Sequence, residues 1–327
     1  MKDLQPWGHI NSMLNEYGGA KWHCISCASF EVRSAHVPLV LNSQGRSSSN
    51  DVLKLTPPSD AGGRGECLAA AERSLKQIQS AKNVKVIESP LLGGMAVALE
   101  IVRRASAHQS VVLDISGMPK RFFMFLVLKL MAEPAIKDLL VTYTKPESYP
   151  EGVLAKDPEP VAALPGCGRL DAGGAGALMV VGVGYIQFSL AELLEQSKGH
   201  GLAFLMPFPP GAPSARRNWT LLHHMDPDVE HNRVIRRVHS MDMFEALSWI
   251  NEYVDDASGS VDLIPLGPKP HSLAMALAYR KRPERVQVLY AQPHTYRADY
   301  SRGIAIGADG EAEAYGYCLK FNGGECF

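Results

Sequence analysis

At 327 residues, with 46% hydrophobic and 20% charged residues, the chain has the make-up of a globular protein and the length for two domains. A formal net charge of −1 excludes a molecule-wide field that would draw in nucleic acid or an anionic membrane, so any anion site must be local. No apolar run reaches the roughly 18 residues of a membrane span, and the opening MKDLQPWGHINSML lacks the basic-then-apolar layout of a secretory signal, so a cytoplasmic protein without membrane contact is expected.

In the first half, KWHCISCASF (21–30) reads as a strand. A long polar loop containing RSSSND (46–51) then leads to the amphipathic helix CLAAAERSLKQIQSA (67–81). VKVIES (84–89) is the second strand, GGMAVALEIVRRASA (93–107) its helix, and SVVLDIS (110–116) the third strand. The almost wholly apolar KRFFMFLVLKLMAE (120–133) reads as a helix buried between layers, and DLLVTYT (138–144) as the fourth strand. Apolar strands alternating with helices call for a parallel sheet covered on both faces. The CxxC of Cys24 and Cys27 falls inside a strand, where the two side chains point to opposite faces, so two buried residues are expected rather than a redox or zinc motif. Six scattered cysteines in so long a chain do not form a disulfide framework.

A Pro-, Gly- and Ala-rich stretch (149–177) breaks the periodicity and reads as an interdomain linker. The alternation then restarts: strand LMVVGVG (178–184), helix QFSLAELLEQSK (187–198), strand GLAFLMPF (201–208), a polar His-rich excursion, helix MDMFEALSWINEYV (241–254), strand SVDLIPL (260–266), helix HSLAMALAYRK (271–281) and strand RVQVLY (285–290). The expected fold is α/β: two tandem Rossmann-like domains with mostly parallel sheets, related by internal duplication. The first covers 1–150 with an N-terminal helix, the linker 151–176, and the second 177–327 with a C-terminal extension. Internal likeness supports the doubling. YTKPESY (143–149) and YAQPHTY (290–296) both read Tyr-x-x-Pro-x-x-Tyr after a strand, CASFEVRS (27–34) matches GVGYIQFS (182–189), and DISGMPKRFF matches IPLGPKPHSL with Gly117 on Gly267. The rival is two unrelated α/β domains with similar strand ends.

Ligands of open parallel sheets bind beyond the carboxyl ends of the strands, which directs attention to the residues just after each one. The first half gathers Glu31, Arg33, Asp114, Ser116, Lys120, Glu147 and Tyr149 there. In DISGMPK, Gly117 permits a tight turn, Ser116 suits an N-cap and Pro119 a first helical position, so the following amides and Lys120 can hold phosphate or carboxylate. A capped helix with a solvated Asp and Lys accounts for the same residues. The second half offers PLGPKPHS, where the prolines donate no backbone hydrogen bond and Lys269, His271 and Ser272 supply the polarity, with His294 and Tyr296, and Tyr300 and Arg302 in YRADYSRG, completing the rim; a stiff surface loop is the plain alternative. Glu31, Asp114 and Glu147 are the candidate catalytic carboxylates, as general base or as ligands of a divalent metal. LLHHMDPDVEHNR (221–233) collects histidines and carboxylates without a recognised metal-ligand spacing and reads as a polar loop. GVGY (182–185) lacks the third glycine of a dinucleotide fingerprint, and no P-loop, G-x-S-x-G or H-E-x-x-H motif occurs.

The duplicated strand-edge layout carrying ASFEVRS, DISGMPK, PLGPKPHS and the two Tyr-x-x-Pro-x-x-Tyr elements resembles, over residues 20–310, the Rossmann-like CARF and SAVED sensor domains of bacterial antiviral defence. SAVED modules join two CARF-like halves in one chain. The resemblance is architectural and carries over no site residue. Such sensors usually accompany an effector domain, for which this sequence leaves no room. The resemblance implies a nucleotide or other phosphorylated small molecule bound in a cleft between the halves, by a sensor or accessory component with a protein partner in a defence system. The alternative is a hydrolase or transferase acting on nucleotides or nucleic acid through Glu31, Asp114 and Glu147. A scaffold that serves only a protein partner is the third possibility. No particular cofactor is indicated, and the enzymatic reading admits a divalent metal.

Overall fold

Short apolar runs and helical segments become strands and covering layers in the computed structural model, which describes residues 6–81, 83–169, 178–184, 201–209, 219–220, 222–223 and 233–327. In chain order the elements begin with β1 (Trp7–His9), α1 (Ile10–Glu16), β2 (Trp22–Ala28), α2 (His36–Ser43), β3 (Ser47–Thr56), α3 (Arg64–Ile78) and β4 (Val84–Pro90). There follow α4 (Ala96–Ala105), β5 (Ser110–Asp114), α5 (Lys120–Ala132), β6 (Asp138–Thr144) and β7 (Ala155–Pro158). Next come β8 (Ala162–Ala163), β9 (Leu178–Gly182), β10 (Leu202–Phe208), β11 (Val234–His239), α6 (Met243–Asp256), β12 (Val261–Pro265), α7 (Lys269–Lys281) and β13 (Val286–Tyr290). The chain ends with β14 (Pro293–Tyr296), β15 (Ala314–Phe321) and β16 (Gly324–Glu325).

These elements form two units. One comprises Met1–Asp157 with Pro293–Phe327, the other Pro158–Gln292. The first sheet has the order β1-β15-β6-β5-β2-β3-β4. Its strands β6, β5, β2, β3 and β4 are mutually parallel, while β15 joins β6 antiparallel and β1 joins β15 antiparallel. The second sheet runs β11-β10-β9-β12-β13-β8, parallel except for β8. Numbered by appearance within its own unit, each parallel set has the order 3-2-1-4-5 and so reverses direction between its first and fourth strands, as a Rossmann-like sheet does.

Both faces of the first sheet are covered. Trp22 and Cys24 of β2 pack with Ile10 and Leu14 of α1, Val37 and Leu41 of α2, and Val112 and Leu140. Ala28 and Val52 pack with Leu75 and Ile78 of α3. Ile25 and Cys27, which alternate to the opposite face, are equally buried. The two cysteines of the CxxC are thus separate core residues. Helix α5 buries Phe122, Phe123, Met124, Phe125, Leu126 and Val127 in succession, which requires neighbours nearly all round it.

Several sequence expectations differ from the structure. The supposed polar loop around RSSSND holds β3, paired with β2 on one side and β4 on the other. Its Asn50 and Asp51 are buried: Asp51 Oδ2 and Oδ1 each accept from Arg104 at 2.8 Å, and Oδ2 lies 3.5 Å from His23 Nε2. His23 in turn meets Ser49 Oγ at 2.8 Å and stacks on His108 with ring centroids 4.5 Å apart. The His-rich excursion likewise ends in the edge strand β11. Part of the expected linker belongs to the second unit, where Leu164 and Cys167 are buried and Tyr279 donates to the Gly168 carbonyl at 3.1 Å. The C-terminal extension, expected with the second half, adds β15 to the first sheet. Helix 187–198 and the 182–189 match lie largely outside the described residues, as does most of LLHHMDPDVEHNR.

Burial acts against the charge of Asp51, but the hydrogen bonds from His23 and Arg104 prevail and hold its carboxyl below the ordinary value of 3.8. A depressed carboxylate contributes stability that is present above the ordinary value and lost as pH falls below it through the lower native-state value. Asp51→Asn is therefore expected to cost about 2 kcal/mol at neutral pH and to flatten the acid limb of the stability curve, read by urea unfolding across pH.

Candidate functional site

The carboxyl end of the first sheet carries a buried ionic network. After β2 the chain makes a 3₁₀ turn over Val32–Ala35, which places Glu31 and Arg33 over the strand ends. Arg33 donates from Nε and Nη2 to Glu31 Oε2 at 3.0 and 2.7 Å, and from Nη1 to the Thr144 carbonyl at 2.8 Å. Its guanidinium carbon lies 5.1 Å from the centroid of the Tyr143 ring. The Ser301 hydroxyl, from the returning C-terminal segment, makes a short hydrogen bond to the same Glu31 oxygen. Glu31, Arg33 and Ser301 are all buried. Burial opposes the arginine's charge, but Glu31 outweighs it and keeps the guanidinium above its ordinary range.

Partly exposed aromatic rings stand over this network. A two-way backbone pairing of Ser148 with Arg302 brings the segment after β6 against the C-terminal return. Tyr149 then lies 6.3 Å from Tyr300, edge to face, and Tyr300 lies 6.0 Å from Tyr296. Phe30 completes the group, at 5.8 Å from Tyr296 and 6.5 Å from Tyr300. Desolvation pushes the Tyr149 phenol well above its ordinary value, so it stays protonated and can donate a hydrogen bond.

Asp114 and Ser116 occupy the neighbouring strand ends. Asp114 Oδ1 accepts from the Ser116 amide at 3.2 Å, the Ser116 hydroxyl at 2.6 Å and Thr142 Oγ1 at 3.3 Å. Ser116 Oγ also accepts from the Thr144 amide at 2.8 Å. The serine therefore ties β5 to β6 and is not an N-cap. Helix α5 begins at Lys120 with Pro119 in the cap position. Gly117 sits against the loop after β2: a methyl group there would lie 2.6 Å from Ser34 Cβ and 2.7 Å from Ser29 Cβ. Glu147 is exposed and its carboxylate lies over Gly303. The three candidate carboxylates thus have separate surroundings: Glu31 the arginine network, Asp114 the Ser116–Thr142 network, Glu147 the surface. Among the described residues no group of three His, Cys, Asp or Glu is placed to hold a metal ion.

In the second unit, α7 begins at Lys269 with Pro268 in the cap position, at φ −60° and ψ 155°. Pro119 has nearly the same geometry, φ −61° and ψ 149°. The two Pro-Lys helix starts are therefore equivalent, one residue out of step with a glycine-on-glycine alignment. Lys120 and Lys269 are both half-buried first helical residues. His271 and Ser272 are fully buried: His271 Nε2 donates to the His239 carbonyl at 3.0 Å and Ser272 Oγ to the Pro268 carbonyl at 3.2 Å. His294 and Tyr296 belong to the first unit, on β14. The structure accordingly brings Glu31, Arg33, Tyr149 and Tyr296 together and sets Lys269, His271 and Ser272 in the other unit. Ser301 gave no sequence signal. Tyr300 had one, the aromatic and basic interleaving of YRADYSRG.

No family model matches the sequence, and no curated protein matches it. Among solved structures, the chain is similar to a type III CRISPR defence DNA nuclease activated by cyclic oligoadenylate, with TM-score 0.51 and 10% identity over 83% of this chain. The match spans 65% of the nuclease's length. A second match is the cytoplasmic domain of a prokaryotic cation chloride cotransporter, with TM-score 0.23, 10% identity and coverage of 84% of this chain and 96% of that one. The first likeness is one of fold, in keeping with the α/β architecture. No helix among the described residues is long and apolar enough to cross a membrane.

Removing one partner of a buried ion pair leaves the other charge uncompensated. Glu31→Gln is expected to cost about 3 kcal/mol in urea unfolding, and adding Arg33→Met should recover part of that loss.

Proposed function

We propose that this chain binds a nucleotide or another phosphorylated small molecule at the carboxyl-end rim of its sheets, as a sensor or accessory component in bacterial antiviral defence. The observation that carries this reading is the rim of the first unit, where Phe30, Tyr149, Tyr296 and Tyr300 surround a buried arginine–glutamate pair. Partly exposed rings offer π-faces to nucleobases whatever the base. Beside them, α5 starts at the sheet's switch point with Lys120 as its first residue, where helix amides and an ammonium favour phosphate. In this reading Arg33 and Glu31 hold the rim in shape, and Tyr149, Tyr296 and Lys120 meet the ligand. Lys269 repeats the Pro-Lys arrangement in the second unit and gives that unit an anion contact of its own.

The fold likeness to a nuclease activated by cyclic oligoadenylate supports the choice of ligand class and of biological setting. It agrees with the CARF- and SAVED-like layout of the strand ends. The same likeness favours a cyclic oligonucleotide over a mononucleotide as the first ligand to try.

The test is isothermal titration calorimetry of the full chain against mononucleotides, dinucleotides and cyclic oligonucleotides. Binding by at least one nucleotide is expected, and Tyr149→Ala or Tyr296→Ala should weaken it about tenfold to hundredfold, the effect of losing one base stack. Lys120→Ala should weaken phosphorylated ligands and spare the unphosphorylated nucleoside. Absence of binding across the panel, or affinities unchanged in all three variants, overturns the reading.

A further inference from the structure

Away from the sheet rim, the end of the chain holds a pair of thiols. Strands β15 and β16 form a hairpin in which Lys320 faces Glu325 and Phe321 faces Gly324. This leaves Asn322 and Gly323 as a two-residue turn, both with positive φ (49° and 83°), the Asn-Gly combination that such turns favour. The ladder continues with the Cys326 amide donating to the Leu319 carbonyl at 3.1 Å. A register shift between Cys318 and Lys320 turns the Cys318 side chain toward that position. The two sulfurs consequently lie 3.3 Å apart, and the Tyr17 hydroxyl sits 2.7 Å from Cys318 Sγ.

From this geometry we infer that Cys318 and Cys326 are a peroxide-reactive dithiol that closes reversibly into a disulfide across the C-terminal hairpin. Cys318 is buried and Cys326 partly exposed, between exposed residues, so small oxidants reach the pair from the Cys326 side. Cys318 is the sulfur that ionises first: hydrogen bonds from Cys326 and, after the opposing effect of burial, from Tyr17 hold its thiol below the ordinary value. The Tyr17 phenol is pushed up by burial and by Cys318, so it remains a donor to that sulfur. The remaining cysteines are poor competitors, since Cys24, Cys27, Cys67 and Cys167 are all buried and burial raises the thiols of Cys24, Cys67 and Cys167.

The step balances with a hydroperoxide as oxidant. The Cys318 thiolate attacks the terminal peroxide oxygen, an S–O bond forms, the O–O bond breaks, and the alcohol or water leaves with a proton from solvent. Cys326 gives up its proton and attacks the sulfenic sulfur; the S–S bond forms, the S–O bond breaks and water departs. Two electrons pass from the thiol pair to the peroxide. A dithiol reductant reverses the change. Closure would clasp the last strand to β15 and remove the thiolate that Tyr17 faces, in a region where Tyr17 also packs edge to face on Trp22 at 4.8 Å and on Phe321 at 5.2 Å.

The experiment treats the reduced full chain with hydrogen peroxide and maps its thiols and disulfides by peptide mass spectrometry. In the wild-type protein a Cys318–Cys326 crosslinked peptide should appear first, with the other four thiols retained and full reversal by dithiothreitol. Cys326→Ser should instead accumulate a sulfenic acid at Cys318 that dimedone traps. Tyr17→Phe should slow crosslinking about threefold to tenfold, the effect of one lost hydrogen bond. Crosslinking or overoxidation spread evenly over the six cysteines, or both thiols surviving peroxide in the folded wild-type chain, overturns the inference.

Discussion

One carboxylate oxygen organises the first unit. Glu31 Oε2 accepts two bonds from Arg33 and one from Ser301, and Arg33 continues to the Thr144 carbonyl at the end of β6. Three stretches of chain distant in sequence are fixed by that one oxygen and one guanidinium: the loop after β2, the end of β6 and the C-terminal return. Burying both ions is costly unless the geometry is good and the remaining donors find acceptors. Here the arginine uses all three of its nitrogens and lies against the Tyr143 ring. The aromatic rim takes its shape from the same network, because Phe30 flanks Glu31, Tyr149 follows Thr144, and Tyr300 precedes Ser301.

The two sheets repeat a strand order but not a chemistry. In each, the turn after the fourth strand comes close to the turn after the first. In the first unit Gly117 approaches Ser29 and Ser34; in the second Gly184 meets the backbone of Leu266 and Gly267. Only glycine allows such approaches. In each, a proline in extended conformation precedes a lysine that opens the next helix. The first unit buries Glu31 and Asp114 at its strand ends and pairs Glu31 with an arginine; among the described residues of the second, Asp262 is buried inside β12, bonded to Arg169 and Gln287 at 3.2 and 2.9 Å, and Asp242, after β11, caps α6 by accepting from the Glu245 amide at 2.9 Å. A shared framework with different rims is what a common strand order with independent side chains produces.

Much of this framework was legible in the sequence. The first, fourth and fifth parallel strands of each unit are short apolar runs, and their length and composition identified them. β3 was not legible because its buried positions include Asn50 and Asp51, which a hydropathy pattern scores as surface; Arg104 and His23, remote in sequence, meet the Asp51 carboxylate, and Asn50 Nδ2 donates to Ser47 Oγ at 2.9 Å. β11 escaped for the opposite reason: as an edge strand it leaves Val234, Arg236 and Arg237 largely in solvent, so it shows no apolar run. The twin Tyr-x-x-Pro-x-x-Tyr elements misled in a useful way. Their first tyrosines do lie in the fifth parallel strand of each unit, Tyr143 next to last in β6 and Tyr290 last in β13, but both second tyrosines, Tyr149 and Tyr296, lie in the first unit. Local spacing could not reveal that, because the pairing of β15 with β6 joins residues far apart in the chain.

That return has a consequence for synthesis. The second unit is contiguous from Pro158 to Gln292 and has all its strands once that stretch has left the ribosome. The first unit does not: β6 presents an unpaired edge, and Glu31 and Arg33 lack their serine, until residues 301–321 have been made. The part translated first is thus the part completed last, and its nascent sheet edge must be kept from foreign strands in the interval.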